Sequence, residues 1–289
     1  MYVKRLLTAT LAACLFTVQA AHAAGRELVM GLIPAENNEE MVQKFEPMRA
    51  YLERKLGHKV KVFTATDYTG VIEAMKKKRV DIAWFGPLSY ILAEREAGAE
   101  AFAVGVRDNG KSTYKSIFVV PGDSPAKTLA DLKGKSVAFV DPASTSGGLM
   151  PTFLVKQETG RMPQDFFGKF TYAGSHDAAE LAVKNKTVDA AADNDITYEK
   201  MLAQGLITPE SNRILMESPE LPGSPLVYRK DLDAKLKKAL KEAIVSAHQE
   251  IKVTGYGNLS RYEEALPSDY QKIREMVTEL GLKREQMLK

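Results

Sequence analysis

Cysteine occurs once, at Cys14. The body of the chain therefore carries no disulfide, no thiolate nucleophile and no cysteine metal site. Histidine is almost as scarce. Of four, His22 sits near the start, leaving His58, His176 and His248 far apart in sequence, which does not offer the ligand cluster of a metal-dependent hydrolase. Neither an HExxH helix motif nor a GxSxG nucleophile turn occurs. An excess of one charge is missing too. The net charge of +3 falls to +1, 38 bases against 37 acids, once Lys4 and Arg5 are set aside; such a balance argues against a nucleic-acid partner. No apolar run after Ala24 is long enough to span a bilayer.

What is present begins with an export leader. Lys4 and Arg5 form a charged start, residues 6–18 an apolar stretch, and Ala21-His22-Ala23 a small-x-small cleavage pattern. The reading is a signal peptide over 1–23 and a periplasmic destination. Leu11-Ala12-Ala13-Cys14 also fits a lipobox, which would place a lipid anchor on Cys14.

Beyond the leader, short apolar strands alternate with amphipathic helices, the grammar of an α/β protein with mostly parallel sheets. Strands are expected over 28–33, 60–64, 80–85, 102–106, 114–120, 136–140, 170–173, 188–192 and 213–217. Helices are expected over 41–56, 69–78, 88–97, 146–157, 176–184 and 198–204, with a helical C-terminal part over 234–253 and 268–280. Two α/β units, the second inserted into the first, explain this order better than one long sheet. The expected lobes are 24–117 with 219–289, and 118–218, facing each other across a cleft that closes by a hinge.

The strand ends facing such a cleft are rich in donors. VAFVDPASTSGGLMP (137–151) puts Ser144, Thr145 and Ser146 between a strand and a helix start, where unpaired N–H groups and a positive partial charge favour phosphate-like anions. Gly147 and Gly148 are read as allowing close approach. A plain Ser/Thr helix cap accounts for one hydroxyl, whereas this loop offers three. Tyr68 starts a helix after the second strand, Tyr114 lies near the expected crossing, and His176 starts a third helix. Asp193 and Asp195 close another strand, where a helix cap is the plainer role.

The segments DYTGVIEAM, DIAWFGPLSY, DPASTSGGLMP and AGSHDA, in this order and spacing, resemble the phosphonate/phosphite-binding proteins of ABC importers. The resemblance covers nearly the whole chain after the leader. It implies a type II periplasmic-binding-protein fold and an ABC transporter permease in the inner membrane as partner. It also implies oxyanion contacts from Tyr68 and Tyr114 in the first lobe and from Ser144, Thr145, Ser146 and His176 in the second. Asp195 lies near a position where relatives that take aminoalkylphosphonates hold the amine. Ser224 stands where such a binder carries an aspartate, which favours a small ligand such as phosphite or a short alkylphosphonate. The expectation is a monomeric solute-binding protein with no cofactor, metal, catalytic residue or nucleic-acid partner. A binder of another oxyanion, a sensory protein docking to a receptor, or a phosphorus-ester hydrolase built from Ser146, His176 and Asp195 stay open at this point.

Overall fold

The helix Asn38–Leu56 shows how local sequence becomes structure in this chain. Asn37 caps its start, the side-chain oxygen accepting from the Glu39 amide at 2.9 Å. Met41, Phe45, Met48, Tyr51 and Leu52 then form one buried stripe. Gly57 ends the helix at φ +68°, a left-handed conformation that costs glycine nothing. The computed structural model describes residues 25–288; the leader, its cleavage pattern and Cys14 lie outside the described residues.

Thirteen strands follow among the described residues. They are β1 Gly25–Leu32, β2 His58–Thr64, β3 Ile82–Trp84, β4 Ala99–Arg107, β5 Thr113–Tyr114, β6 Ser116–Pro121, β7 Ser136–Phe139, β8 Lys169–Tyr172, β9 Ala190–Asn194, β10 Asn212–Glu217, β11 Leu221–Pro222, β12 Pro225–Arg229 and β13 Leu259–Glu264. They build a six-stranded sheet in the order β13-β4-β12-β3-β1-β2 and a five-stranded sheet in the order β10-β6-β9-β7-β8. Helices cover both, giving an α/β protein of two lobes. The remaining strands, β5 and β11, pair antiparallel with Tyr114 opposite Leu221. Both chain crossings between the sheets therefore lie on one small ribbon.

Strand direction corrects the expectation of mostly parallel sheets. β1 runs parallel to β2 and β3, but β12 is antiparallel to β3 and β4, and β13 to β4. In the second sheet β7 is parallel to β8 and β9, whereas β6 opposes both β9 and β10. For β6 and β12 the cause is the insertion. Strands of each lobe's own βα units run toward the cleft, while β6 and β12 arrive from the other lobe and start at the cleft end. The C-terminal part is also less helical than expected: the helix ends at Ser246, a short 3-10 turn follows, and β13 joins the edge of the first sheet.

Each sheet buries its own apolar layer. Met30, Phe45, Ile72 and Phe85 are enclosed in the first lobe, and Phe118, Phe139 and Val155 in the second. The second core is aromatic, with Phe139 meeting Phe170 edge-on at 4.8 Å between ring centres. No helix among the described residues is long and apolar enough to cross a membrane.

Candidate functional site

Five helix starts converge between the lobes. Tyr68 is the first residue of the helix Tyr68–Lys76, and Gly86 caps Pro87–Ala97. Ser144 caps the turn Thr145–Leu149 that leads into the helix Met150–Thr159. His176 opens His176–Lys184, and Asn194 caps Asp195–Ala203. All five line one cavity. Helix starts carry unpaired N–H groups and about half a positive charge each, so their meeting favours an anion there. No lysine or arginine lines it.

Six of the seven residues singled out from the sequence meet here: Tyr68, Tyr114, Ser144, Thr145, Ser146 and His176 all line the cavity and are buried. The Ser144 hydroxyl oxygen accepts from the Gly147 amide at 3.0 Å, so the plain cap reading holds for this serine. Its own proton remains available, and the Tyr68 hydroxyl lies within hydrogen-bonding reach. Thr145 accepts from the Leu88 amide of the opposite lobe at 2.8 Å. The Tyr114 hydroxyl meets Ser146 and Thr145. Burial pushes both tyrosines up, so they stay neutral hydrogen-bond donors.

The two glycines of the loop do something other than expected. A Cβ on Gly147 would come within 2.3 Å of Val140 Cγ2, and one on Gly148 within 2.5 Å of the Asp141 carbonyl oxygen. The close approach they permit is that of the loop to its own strand, which seats the three hydroxyls.

His176 is fixed at both ends. Its backbone amide donates to the Ala35 carbonyl across the cleft at 2.8 Å. Its Nδ1 lies 2.5 Å from Asp193 Oδ1 and 2.9 Å from Asn194 Nδ2. Burial pushes the imidazole down to about 4, against the pull of the surrounding carboxylates, and pushes Asp193 well above the usual carboxylate range. Burial drives both toward neutrality, so a protonated Asp193 gives its hydrogen bond to Nδ1, and Nε2–H is the donor left for an anion. Behind them Glu180 is also pushed up by burial, and its Oε2 accepts from Asn212 at 2.6 Å. Asp193 Oδ2 and Glu180 Oε1 are buried with no donor among the described residues, which fits carboxyls that burial pushes up.

Asp195 is the exception among the seven. It does not line the cavity. Its carboxylate faces Arg107 Nη1 at 3.0 Å and accepts from the Lys115 amide at 3.0 Å. The helix begins at Asp195, which breaks the strand alternation, and the capping residue is Asn194, whose Oδ1 accepts from the Thr197 amide at 2.9 Å. Neither aspartate is the cap.

The far wall consists of Trp84, Asn194, Ser224 and Tyr256. Trp84 and Tyr256 stack obliquely at 4.9 Å between ring centres, and the Tyr256 hydroxyl bridges Asn194 and Thr197 at 2.9 and 2.6 Å. Tyr256 was not legible in the sequence. It sits in a loop without periodicity, 62 residues from its partner Asn194. Glu36 was missed for the same reason. It is buried beside Lys44 and takes Lys200 of the opposite lobe at 2.9 Å. Among the described residues, no group of three or more potential metal ligands converges.

Known proteins place this geometry. A family model described as the periplasmic phosphonate substrate-binding protein of ABC transporters matches residues 30–270. The phosphonates-binding periplasmic protein of Escherichia coli is 37% identical over 218 residues, which cover 73% of this chain and 64% of that one. A phosphate-import protein of Mycolicibacterium smegmatis is 33% identical over 207 residues, covering 68% and 64%. The match thus spans 64% of the length of each of these two relatives. A Prochlorococcus marinus protein solved in complex with methylphosphonate superposes with a TM-score of 0.78 at 26% identity, covering 88% of this chain and 98% of that one.

Proposed function

Because the chain belongs to the phosphonate-binding family of periplasmic substrate-binding proteins of ABC transporters, we propose that it captures a small phosphorus oxyanion, phosphite or a short alkylphosphonate, and hands it to an inner-membrane permease. The observation that carries this reading is the meeting of five helix starts and six hydroxyl or ring donors in one space that no lysine or arginine enters. Hydroxyls rotate to meet tetrahedral oxygens, and helix starts favour the charge. The relatives agree on the class of cargo: one is named for phosphonates, one for phosphate import, and one holds methylphosphonate.

The assigned contacts are Tyr68, Tyr114, Ser144, Thr145, Ser146 and His176, and Asp195 is left out. No carboxylate lines the space, and Ser224 is neutral, so an ammonium on the ligand finds no counter-charge. This favours a small uncharged substituent. The remaining volume of about 20 Å³ is room for roughly one water. Entry of a tetrahedral anion therefore requires the lobes, 24–117 with 219–289 and 118–218, to part at the β5–β11 ribbon. The protein works as a monomer that binds without turnover, cofactor or nucleic acid. It is exported by residues 1–23 and released into the periplasm, or held at the membrane if Cys14 is lipidated.

A thermal-shift panel of phosphite, methylphosphonate, 2-aminoethylphosphonate, phosphate and sulfate tests the proposal. The expected result is strong stabilisation by phosphite or methylphosphonate and little by sulfate. Stabilisation by sulfate with none by phosphorus anions would refute the cargo, and turnover of a phosphorus ester would refute the binding role.

A further inference from the structure

Asn194 is both the last residue of β9 and the cap of the helix Asp195–Ala203. The cap fixes the direction of its side-chain amide. A backbone N–H can only donate, so the atom 2.9 Å from the Thr197 amide is the oxygen, Oδ1. Nδ2 is thereby turned the other way, and both of its N–H bonds are used. One goes to His176 Nδ1 at 2.9 Å, the other to the Tyr256 hydroxyl at 2.9 Å. All three side chains are buried.

The Asn194–His176 contact decides which ring nitrogen carries the proton. An amide N–H can only donate, so Nδ1 must present its lone pair, and a neutral imidazole with a bare Nδ1 carries its proton on Nε2. The Asp193 carboxyl, 2.5 Å from the same nitrogen, can give or take a proton and does not make that choice alone. Tyr256 adds a second step. Asn194 and His176 lie in one lobe, 118–218, whereas Tyr256 belongs to 219–289. Its hydroxyl therefore reaches Asn194, and Thr197 at 2.6 Å, only when the lobes are closed. From its own lobe the Tyr256 ring is held by Trp84 at 4.9 Å between ring centres and by Lys44, whose ammonium lies 5.6 Å from the ring centre.

We infer that Asn194 and Tyr256 are positioning residues for the anion: Asn194 holds His176 in the form whose Nε2 carries the proton, and Tyr256 pins Asn194 from the other lobe on closure. The inference rests on the capture of phosphorus oxyanions proposed above. NMR of the exported chain, labelled with the heavy nitrogen isotope in its imidazole rings, tests it; His176 is assigned by the signals lost in His176→Gln. Without ligand, the wild type should show Nδ1 bare and Nε2 protonated, because Asn194 and His176 share a lobe. Asn194→Ser keeps a good helix cap and removes the donor. Its His176 signals should move toward a mixture of the two tautomers, and phosphite affinity by calorimetry should fall about ten-fold. Tyr256→Phe keeps the ring and removes the hydroxyl. Its ligand-free spectrum should match the wild type, while phosphite should dissociate about five-fold faster with little change in association rate. A protonated Nδ1 in the wild type, or wild-type signals and affinity in Asn194→Ser, would overturn the role of Asn194. Wild-type dissociation from Tyr256→Phe would overturn that of Tyr256. If phosphite, methylphosphonate and phosphate all fail to bind while Nδ1 is bare, the capture reading falls and the tautomer assignment stands.

Discussion

At the centre of the cleft, Tyr68, Thr145 and His176 present neutral donors to a space lined by no formal cation. At its rim the lobes meet through full charges: Glu36 and Glu40 take Lys200, each at 2.9 Å, and Arg107 takes Asp195 and Glu199. The difference separates two tasks. Neutral, directional donors discriminate the geometry of an anion, because each must point at an oxygen. Formal charges act over a longer range and with less direction, which suits drawing two lobes together. Keeping them off the ligand leaves the choice of anion to shape.

The largest effects should come from the centre. Thr145→Ala and His176→Ala each remove a donor from a desolvated anion, and each should cost roughly 1.5–3 kcal/mol of phosphite affinity. Calorimetry that finds both variants at wild-type affinity would sink the site. The contrast with the rim predicts that these losses stay the same across ionic strength, because the centre is closed to mobile ions.

Behind the centre, carboxyls are handled in the opposite way from those at the rim. Burial pushes Asp193 and Glu180 up, so the folded protein keeps a proton that the unfolded chain releases above the ordinary carboxylate range. The stability this pair contributes is full below that range and is lost as pH rises toward the folded-state value. His176, pushed down to about 4, works the other way: the unfolded chain gains a proton below about pH 6.5 that the folded chain refuses. Above the ordinary imidazole range His176 no longer contributes. Glu180→Gln should therefore flatten the fall in Tm as pH rises above the ordinary carboxylate range, a slope worth at most about 1.4 kcal/mol per pH unit. Parallel curves for wild type and variant would show that Glu180 is already ionised in the fold.

The same contrast explains what was legible in the sequence. The centre is built from residues four to seven places past a strand end, at the helix start that follows, as in Ser144 to Ser146, Tyr68 and His176, so local spacing exposes them. The rim and the far wall are assembled from distant segments. Nothing near Tyr256 announces Asn194, and nothing near Glu36 announces Lys200. Asp195 entered through the resemblance, near a position where relatives hold an amine, whereas the helix that starts there turns it toward Arg107. β13 was overlooked because its Arg261, Glu263 and Glu264 read as a solvated stretch; only pairing with β4 makes it a strand. β12 was hidden behind the proline-rich approach to Pro225 for the same long-range reason.

The smallest expected effect probes the rim directly. Arg107 lies on β4 of the first lobe, and Asp195 and Glu199 lie on a helix of the second, so parting the lobes separates them. Whatever the contact contributes is therefore gained on closure and appears in ligand affinity. The gain is limited, because the Glu199 side chain is 62% exposed and exposed pairs contribute about 0.2–1 kcal/mol. Arg107→Gln should weaken phosphite binding by that amount, up to about five-fold. Screening tightens to about 3 Å near 1 M salt, so the gap between wild type and variant should shrink as salt rises, while the Thr145→Ala gap does not. If salt narrows both gaps equally, the anion is held by long-range charge after all, and the division between a neutral centre and a charged rim fails.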